Sequence, residues 1–510
     1  MGAPARTTAV ALLGLTGRLV EIEAALTNQT PGVKLVGLPD AALREAQVRV
    51  RSAVEHSGFA MPKRHLTVNL SPASLPKHGS GFDVGIALAV LVTQGVVEPF
   101  AVGDAVCLGE LGLDGRLRPV PGVLPAVLAA RREGRSTVVV PTANEREASL
   151  VSGIRVVGVP SLRDLAIRFG ADLEPVPVDP VPGPMERMTE TTAPDLAEVV
   201  GNRDAVEALI VAAAGAHHLL LVGPPGAGKT MLATRLPGLL PDLDETAALE
   251  ASCVASLAGD GLIRLQTRPP WQAPHHTASP AAIVGGGSTA IRPGAAARAS
   301  GGVLFLDEAP EFSPAALDAL RQPLESGEIT IERAAATARY PGRFQLVLAA
   351  NPCPCGQWGS ADGDCVCPPS ARRRYLGRLS GPLLDRVDIR VRVDRVSAAQ
   401  LRMTDERPGP TTDEARARVL TARARALERL TGTGWRSNAE VPGAWLRAPK
   451  RRLAADVRAP LDAALERGLL TMRGYDRVLR LAWTLADLAG AHQPGRREIG
   501  SALTLRSTVR

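Results

Sequence analysis

The residues best placed to do chemistry lie in one short stretch. His218-Leu219-Leu220-Leu221-Val222 reads as a buried strand that runs directly into Gly223-Pro224-Pro225-Gly226-Ala227-Gly228-Lys229-Thr230. Glycines at these positions let the backbone wrap closely round a polyphosphate with its N–H groups turned inward. The helical pattern that follows, TMLATRLPGLL, adds a positive helix end. In such a loop Lys229 reaches the β- and γ-phosphates and Thr230 offers its hydroxyl to Mg²⁺. A chain with 50 glycines can produce the string by chance, and the flanking strand and helix are the context that argues against chance. ATP held by residues 223–230 is the expectation.

A second stretch completes that chemistry. GGVLFLDEAPEF supplies four apolar residues and then Asp307 and Glu308. A strand ending in this pair places Asp307 in the Mg²⁺ shell with Thr230, and Glu308 where it polarises the attacking water. An isolated Asp-Glu after an apolar run would read as a helix start. The phosphate loop upstream and another strand downstream, FQLVLAAN, decide for the pair. Asn351 ends that downstream strand.

Three further groups carry possible chemistry. Cys353, Cys355, Cys365 and Cys367 form two close pairs, and four thiolates so arranged can close a structural Zn²⁺ shell. Their C-x-C spacing is tighter than the usual C-x₂-C, and free buried cysteines are the alternative. GEITIERAAATARYPGRFQLVLAAN reads as strand, turn, strand, with Arg333 and Arg339 near the turn. Arginines there contact a phosphate backbone without reading bases, or merely solubilise an exposed hairpin. His275 and His276 are adjacent, so on a strand or helix they face different ways and are not expected to share a metal.

These groups sit in a chain of 510 residues, long enough for two to four domains. Residues 1–173 alternate strand and helix patterns, with Asp114-Gly115 at a hairpin turn. Residues 174–194 are rich in proline and lack periodicity, as a linker does. Residues 195–395 hold the phosphate loop and the carboxylate pair, and residues 396–510 read as helical throughout. Residues 401–510 carry 21 Lys and Arg against 12 Asp and Glu, whereas residues 1–400 carry 38 against 40. The whole excess of positive charge is therefore C-terminal, either as solvated helix faces or as a nucleic-acid surface. No run of about eighteen apolar residues exists, VALLGL near the N-terminus reads as a strand and not a signal peptide, and crowded cysteines fit a reducing compartment. A cytoplasmic protein with no membrane contact is expected.

Taken block by block, the chain resembles the YifB/ComM family of Mg-chelatase-like AAA+ proteins. The resemblance rests on EVVGNRDAVEALIVAAAGAHHLLLVGPPGAGKTMLATRLPGLLP, APHHTASPAAIVGGG, VLFLDEAPEF, ALRQPLESGEITIERA, AANPCPCG and LSGPLLDRVDI. It implies an α/β fold: a Lon-protease-like (ribosomal S5 domain 2-like) N-terminal domain, a P-loop AAA+ parallel-sheet core and an all-α C-terminal lid. It further implies a homo-oligomeric, hexameric ring that hydrolyses ATP and acts on DNA as a helicase or in branch migration. Asn351 would then sense the γ-phosphate, and Arg386 would reach the neighbouring subunit as an arginine finger. A lone arginine between a helix and a strand otherwise reads as a surface ion pair. Arg473, in TMRGYDRVLRLAWTLADL, matches the family's sensor-2 helix. The hairpin bearing Arg333 and Arg339 is similar to one that related motors insert into a central channel.

The N-terminal likeness lies in VGLPD, NLSPASLPKHGSGFD and LGELGLDGRLRPVPG. Lon-type proteases need a serine and a lysine. Laid on 77–83, the family motif puts glycine (Gly81) at the serine position, with Ser80 one residue away. The lysine position falls near Leu124 or Ala126. This domain is expected to be catalytically inactive. Two other functions are compatible with the chain: a motor subunit for metal insertion into a porphyrin, and a protein-remodelling factor using the first domain as adaptor.

Overall fold

The computed structural model describes residues 4–37, 41–183, 194–287, 291–333, 336–359, 365–397, 400–402 and 408–507. Its first unit is built on a seven-stranded mixed sheet. The strand order is Gly32–Val36, His65–Ser71, Thr16–Thr27, Ala5–Leu13, Val106–Cys107, Thr137–Pro141 and Arg155–Val159. The helix Asp83–Thr93 (DVGIALAVLVT) is apolar on every side and buried along its first ten residues, so it lies inside the unit and not on its surface. Asp114-Gly115 forms the expected turn between Glu110–Leu111 and Leu117–Arg118. Leu124 and Ala126 are buried within the helix Val123–Arg132. Ser80 donates to the Glu110 carboxylate, while the buried Lys77 ammonium donates to the carbonyls of Pro72 and, at 3.0 Å, Gly37. Ser80 is thus engaged with a carboxylate, Lys77 with backbone carbonyls, and the lysine position itself is occupied by buried apolar side chains.

The second unit is a five-stranded sheet in the order Trp271–Gln272, Val303–Leu306, Gln345–Ala350, Leu219–Val222 and Ile389–Arg392. All four pairings are parallel. Strands covered on both faces read as continuous apolar runs, which is why LLLV, VLFL and QLVLAA carry no alternation.

The C-terminal helices are not a separate body. Val419 and Ala422 of the helix Thr412–Arg429, Val478 and Ala482 of Met472–Ala489, and Ile499 of Arg496–Ser507 share one apolar core with Leu209 and Ala213 of Arg203–Gly215, the helix preceding the phosphate-loop strand. A buried polar chain runs through the same seam. His217 Nε2 meets Thr484 Oγ1 at 2.8 Å, and the Asn438 amide donates to Thr484 and Asp487. Arg477 donates to the buried Asp388 at 2.5 Å. Part of the C-terminal positive charge is used in docking: Arg416 pairs with Asp242, Arg418 with Glu207 and Arg436 with Asp244, all acids of the core unit.

The first unit is fastened to the second at two places. The Gly122 N–H donates to the Ser256 carbonyl at 2.9 Å and the Leu124 N–H to its hydroxyl at 3.2 Å, at the end of the helix Glu245–Ala258. The Gly14 turn abuts the strand Ala336–Pro341, where an added Cβ would sit 2.5 Å from the Arg339 carbonyl oxygen. Between the units, residues 174–183 form no regular element, and 184–193 lie outside the described residues. Among the described residues, no helix is long and apolar enough to cross a membrane.

One partly buried group makes the fold pH-sensitive. His218 Nδ1 accepts the Leu346 N–H at 3.0 Å, which requires an unprotonated nitrogen. Burial pushes this imidazole down to about 4, against the pull of Asp388 and with help from Arg477, His217 and Arg480. The unfolded chain takes up that proton near pH 6.5, so stability is complete above this value and declines as pH falls from there to about 4, by at most roughly 3 kcal/mol. Thermal unfolding should show a Tm that is flat from pH 8 to 7 and falls below 6.5. His218→Gln, which keeps an acceptor without the titration, should remove that part of the slope.

Candidate active site

The site is assembled at the carboxyl ends of three neighbouring strands. Residues 223–228 leave Leu219–Val222 as a loop that turns through Gly226 (φ +76°) and Gly228 (φ +91°) into the helix Lys229–Leu239. An added Cβ at Gly226 would meet nothing within 4 Å, so this face of the loop is open to a ligand. At Gly223 it would lie 2.0 Å from the Val393 carbonyl oxygen, and only glycine lets the loop pass there. The buried Lys229 ammonium donates to the carbonyls of Gly223 (2.7 Å) and Pro224 (3.0 Å) and to Asn351 Oδ1 (3.0 Å). Burial lowers its pKa, and the charges of Asp307 and Glu308 oppose the shift.

Thr230 Oγ1 donates to Asp307 Oδ2 at 2.6 Å, so the two residues expected to share Mg²⁺ are adjacent. Asp307 Oδ1 accepts the N–H of Glu308, whose backbone is held at φ +50°. This left-handed turn, rare for glutamate, swings the Glu308 side chain away from the strand axis. A polyphosphate fits this donor set: an open glycine loop, a helix N-terminus and one ammonium. A hydroxyl beside a carboxylate fits Mg²⁺, which supplies charge neutralisation at the phosphates when bound. Lys229 and the loop N–H groups would bind and orient the phosphates and Glu308 would take a proton from water, while Asn351 is anchored to Lys229.

One neighbour of Glu308 escaped the sequence reading. His276 Nδ1 lies 3.4 Å from Glu308 Oε2, and the His275 and His276 rings lie tilted by 34° with centroids 4.1 Å apart. Adjacent side chains diverge on a strand or helix, but residues 273–278 form a turn after the edge strand Trp271–Gln272, so these two rings share a side. Spacing alone carried no signal of it.

Arg386 and Arg473 are placed differently from the phosphate-loop residues. Arg386 is buried, pairs with Glu325 and donates to the Pro382 carbonyl at 2.5 Å. Burial lowers its pKa, and the nearby charges of Arg321, Arg473 and Arg477 add to the effect. Arg473 thus stands in a cationic cluster with Arg386. Arg333 and Arg339 also part company. In the hairpin Glu328–Arg333/Ala336–Pro341, Arg333 shares the face of Ile329, Ile331 and Tyr340, whereas Arg339 opposite Thr330 lies on the exposed face. The tip of that hairpin, 334–335, lies outside the described residues.

The four cysteines do converge. Their sulfurs all lie within 4.8 Å of one another, and Cys353 is fully buried. Cys355 is brought down to about 6 by the Gln357 backbone N–H and then by the Cys353 thiol, which makes it a ready metal ligand.

With this geometry in view, the relatives are informative. Residues 195–401 match the family model described as magnesium chelatase, subunit ChlI, residues 22–144 one described as subunit ChlI of Mg-chelatase, and residues 409–506 the ChlI C-terminal model. Competence protein ComM of Haemophilus influenzae is 41% identical over 503 residues, covering 98% of this chain and 97% of its own. The chain belongs to the ComM/YifB family of magnesium-chelatase-like AAA+ ATPases. Escherichia coli YifB is 37% identical over 505 residues, 98% of this chain and 96% of its own. An uncharacterized protein of Mycobacterium tuberculosis is 52% identical over 510 residues, 99% of this chain and 98% of its own. The Lon protease of Mycolicibacterium smegmatis matches 34% of the chain at 32% identity, in keeping with the Lon-like fold of the first unit.

Two substitutions separate binding from hydrolysis in this family member. Glu308→Gln should leave nucleotide affinity within about twofold and cut turnover by roughly 10²–10⁴. Thr230→Ala should raise the Mg²⁺ concentration needed for half-maximal rate; equal Mg²⁺ dependence in both proteins would contradict its place in the metal shell.

Proposed function

We propose that this ATPase is a ring motor that moves DNA without regard to sequence, as a hexamer whose subunits complete one another's sites. The observation that carries the reading is a single continuous segment. The hairpin Glu328–Arg333/Ala336–Pro341 runs through residues 342–344 into the strand Gln345–Ala350, which ends at Asn351 on Lys229. Load on the hairpin is thereby joined to the phosphate loop.

The basic residues support a backbone-binding hairpin. An added Cβ at Gly286 would lie 3.5 Å from Arg333 Nη2, and Gly286 is the ladder partner of the exposed Arg292. Arg292 and Arg333 thus flank one glycine ribbon from two hairpins, and contacts of this kind give affinity without base specificity. Arg386, Arg473, Arg321 and Arg477 outnumber the acids Glu325, Asp388 and Asp318 that pair with them. That surplus of charge suits the phosphates of a neighbouring subunit's nucleotide, with Arg386 leaving Glu325 to act in trans.

The test is ATP hydrolysis with and without DNA. Stimulation should fall steeply with salt, since each neutralised phosphate releases counterions, and should be equal for unrelated sequences. Arg386→Ala should lose about 10³-fold or more in turnover. Mixed with Lys229→Ala subunits, it should regain part of that rate, because each variant supplies what the other lacks. Stimulation by a porphyrin-binding partner or by unfolded protein in place of DNA would overturn the DNA assignment, and an absence of complementation would overturn the shared site.

A further inference from the structure

The loop that carries the four cysteines touches the phosphate loop twice. It leaves the strand Gln345–Ala350 at Asn351, whose Oδ1 accepts from Lys229 Nζ, and two residues later reaches the buried Cys353. It then turns through Gly356 (φ +77°), whose N–H donates to the Cys353 carbonyl at 2.9 Å. There it meets the other end of the phosphate loop. A Cβ added to Gly356 would lie 2.5 Å from Pro225 Cδ and 2.7 Å from Cγ, so the backbone of Gly356 lies flat on the proline ring. Farther along, the Gly359 carbonyl accepts from Arg392, whose Nε reaches Asp394 at 2.8 Å; Arg395 Nε reaches the Pro225 carbonyl at 3.3 Å. Pro225 is therefore gripped from two sides.

What holds the knuckle itself in shape is its sulfur atoms. Sγ of Cys353 lies 3.3 Å from that of Cys355 and 3.7 Å from that of Cys365, and Cys355 and Cys365 are 3.8 Å apart. A tetrahedral site with Zn–S bonds of about 2.3 Å places its sulfurs roughly 3.8 Å apart. The Trp358 N–H donates to Cys353 Sγ at 3.4 Å, as suits a thiolate ligand. Apolar packing contributes little here: Cys355, Cys365 and Cys367 are half-buried, and Trp358 and Val366 are exposed. A loop with so little apolar burial would take its shape from a bound metal, because ligand binding and local folding are one event.

We infer that the cysteine knuckle is a metal-set clasp on the phosphate loop, so that a bound thiophilic cation, zinc by its sulfur-only donor set, determines how firmly nucleotide is held. This rests on the reading of residues 223–230 as the nucleotide site. It goes beyond a structural zinc by giving the ion a defined output: the positions of Asn351 and Pro225, one at each end of the loop.

The experiment uses the full-length protein, with zinc measured by plasma emission and nucleotide affinity by titration with a fluorescent ATP analogue. Purified protein should carry one zinc per chain. Stripping it with a mercurial and a chelator, removing both reagents and restoring Mg²⁺ should raise the Kd at least tenfold, and added Zn²⁺ should reverse the change. Gly356→Ala keeps all four thiols; it should retain its zinc yet bind nucleotide at least tenfold more weakly, because the new methyl collides with a rigid ring. Pro225→Ala in that background, which removes Cγ and Cδ, should recover most of the affinity. Protein that carries no zinc, or that binds nucleotide equally with and without it, overturns the clasp. A Gly356→Ala protein with wild-type affinity overturns it too, while circular dichroism verifies that the variant is folded. Wild-type protein that binds no nucleotide at all would instead remove the ATPase reading on which the clasp depends.

Discussion

Leu219–Val222 is hydrogen-bonded on both sides, to Gln345–Ala350 and to Ile389–Arg392, with Val222 level with Ala350 and with Arg392. Leu306 is level with Leu348 one strand farther out. Because all these pairings are parallel, the residues that follow the strands emerge on one edge of the sheet. Gly223, Asn351, Val393 and Asp307 are those residues. Strands about 4.8 Å apart therefore bring Lys229 to Asn351 and Thr230 to Asp307 with no freedom to adjust. The same parallel pairing demands long crossovers, and it is in these crossovers that the two hairpins, the histidine turn and the cysteine knuckle are carried.

The first unit has a Lon-like fold whose turns hold it to the second unit. Its lysine faces backbone carbonyls and its nearest serine faces a carboxylate, but its turns remain in use as contacts. Gly14 lies against Arg339 in the basic hairpin, and Gly122 and Leu124 donate to Ser256. The hairpin is thus backed by a second domain at the strand whose continuation ends in Asn351. An isolated two-stranded hairpin is marginally stable, and this contact supplies a backing for it.

Charge in this molecule is a poor guide to partners. The exposed pairs Arg418–Glu207 and Arg436–Asp244 are each worth about 0–1 kcal/mol and do not by themselves hold the helical region in place. The continuous apolar core does that, together with the buried Asp388, held low by Arg477 and the two histidines against the cost of its burial. Two local concentrations of arginine stand out among the described residues: those around Arg386, and those on either side of Gly286.

Local order along the chain was enough to point to a glycine loop between strand and helix, the carboxylate pair at a strand end, the polar residue ending the next strand and four thiols that could converge. Each depends on residues close in sequence, on a strand-turn-helix succession, or on two tight pairs. The resemblance to a known family supplied the protease-like fold of the first unit, the expectation that it is inactive, and the candidate roles of Arg386 and Arg473. Sequence pattern could not place Arg386 against Glu325, His276 against Glu308, or Gly356 against Pro225, because each contact joins segments separated by a crossover. It also could not tell that Arg333 and Arg339 lie on opposite faces, which hangs on the register of a ladder, nor that the C-terminal arginines face acids of the core. Only the tertiary structure decided these, because packing selects among distant partners while propensity and spacing act on neighbours along the chain.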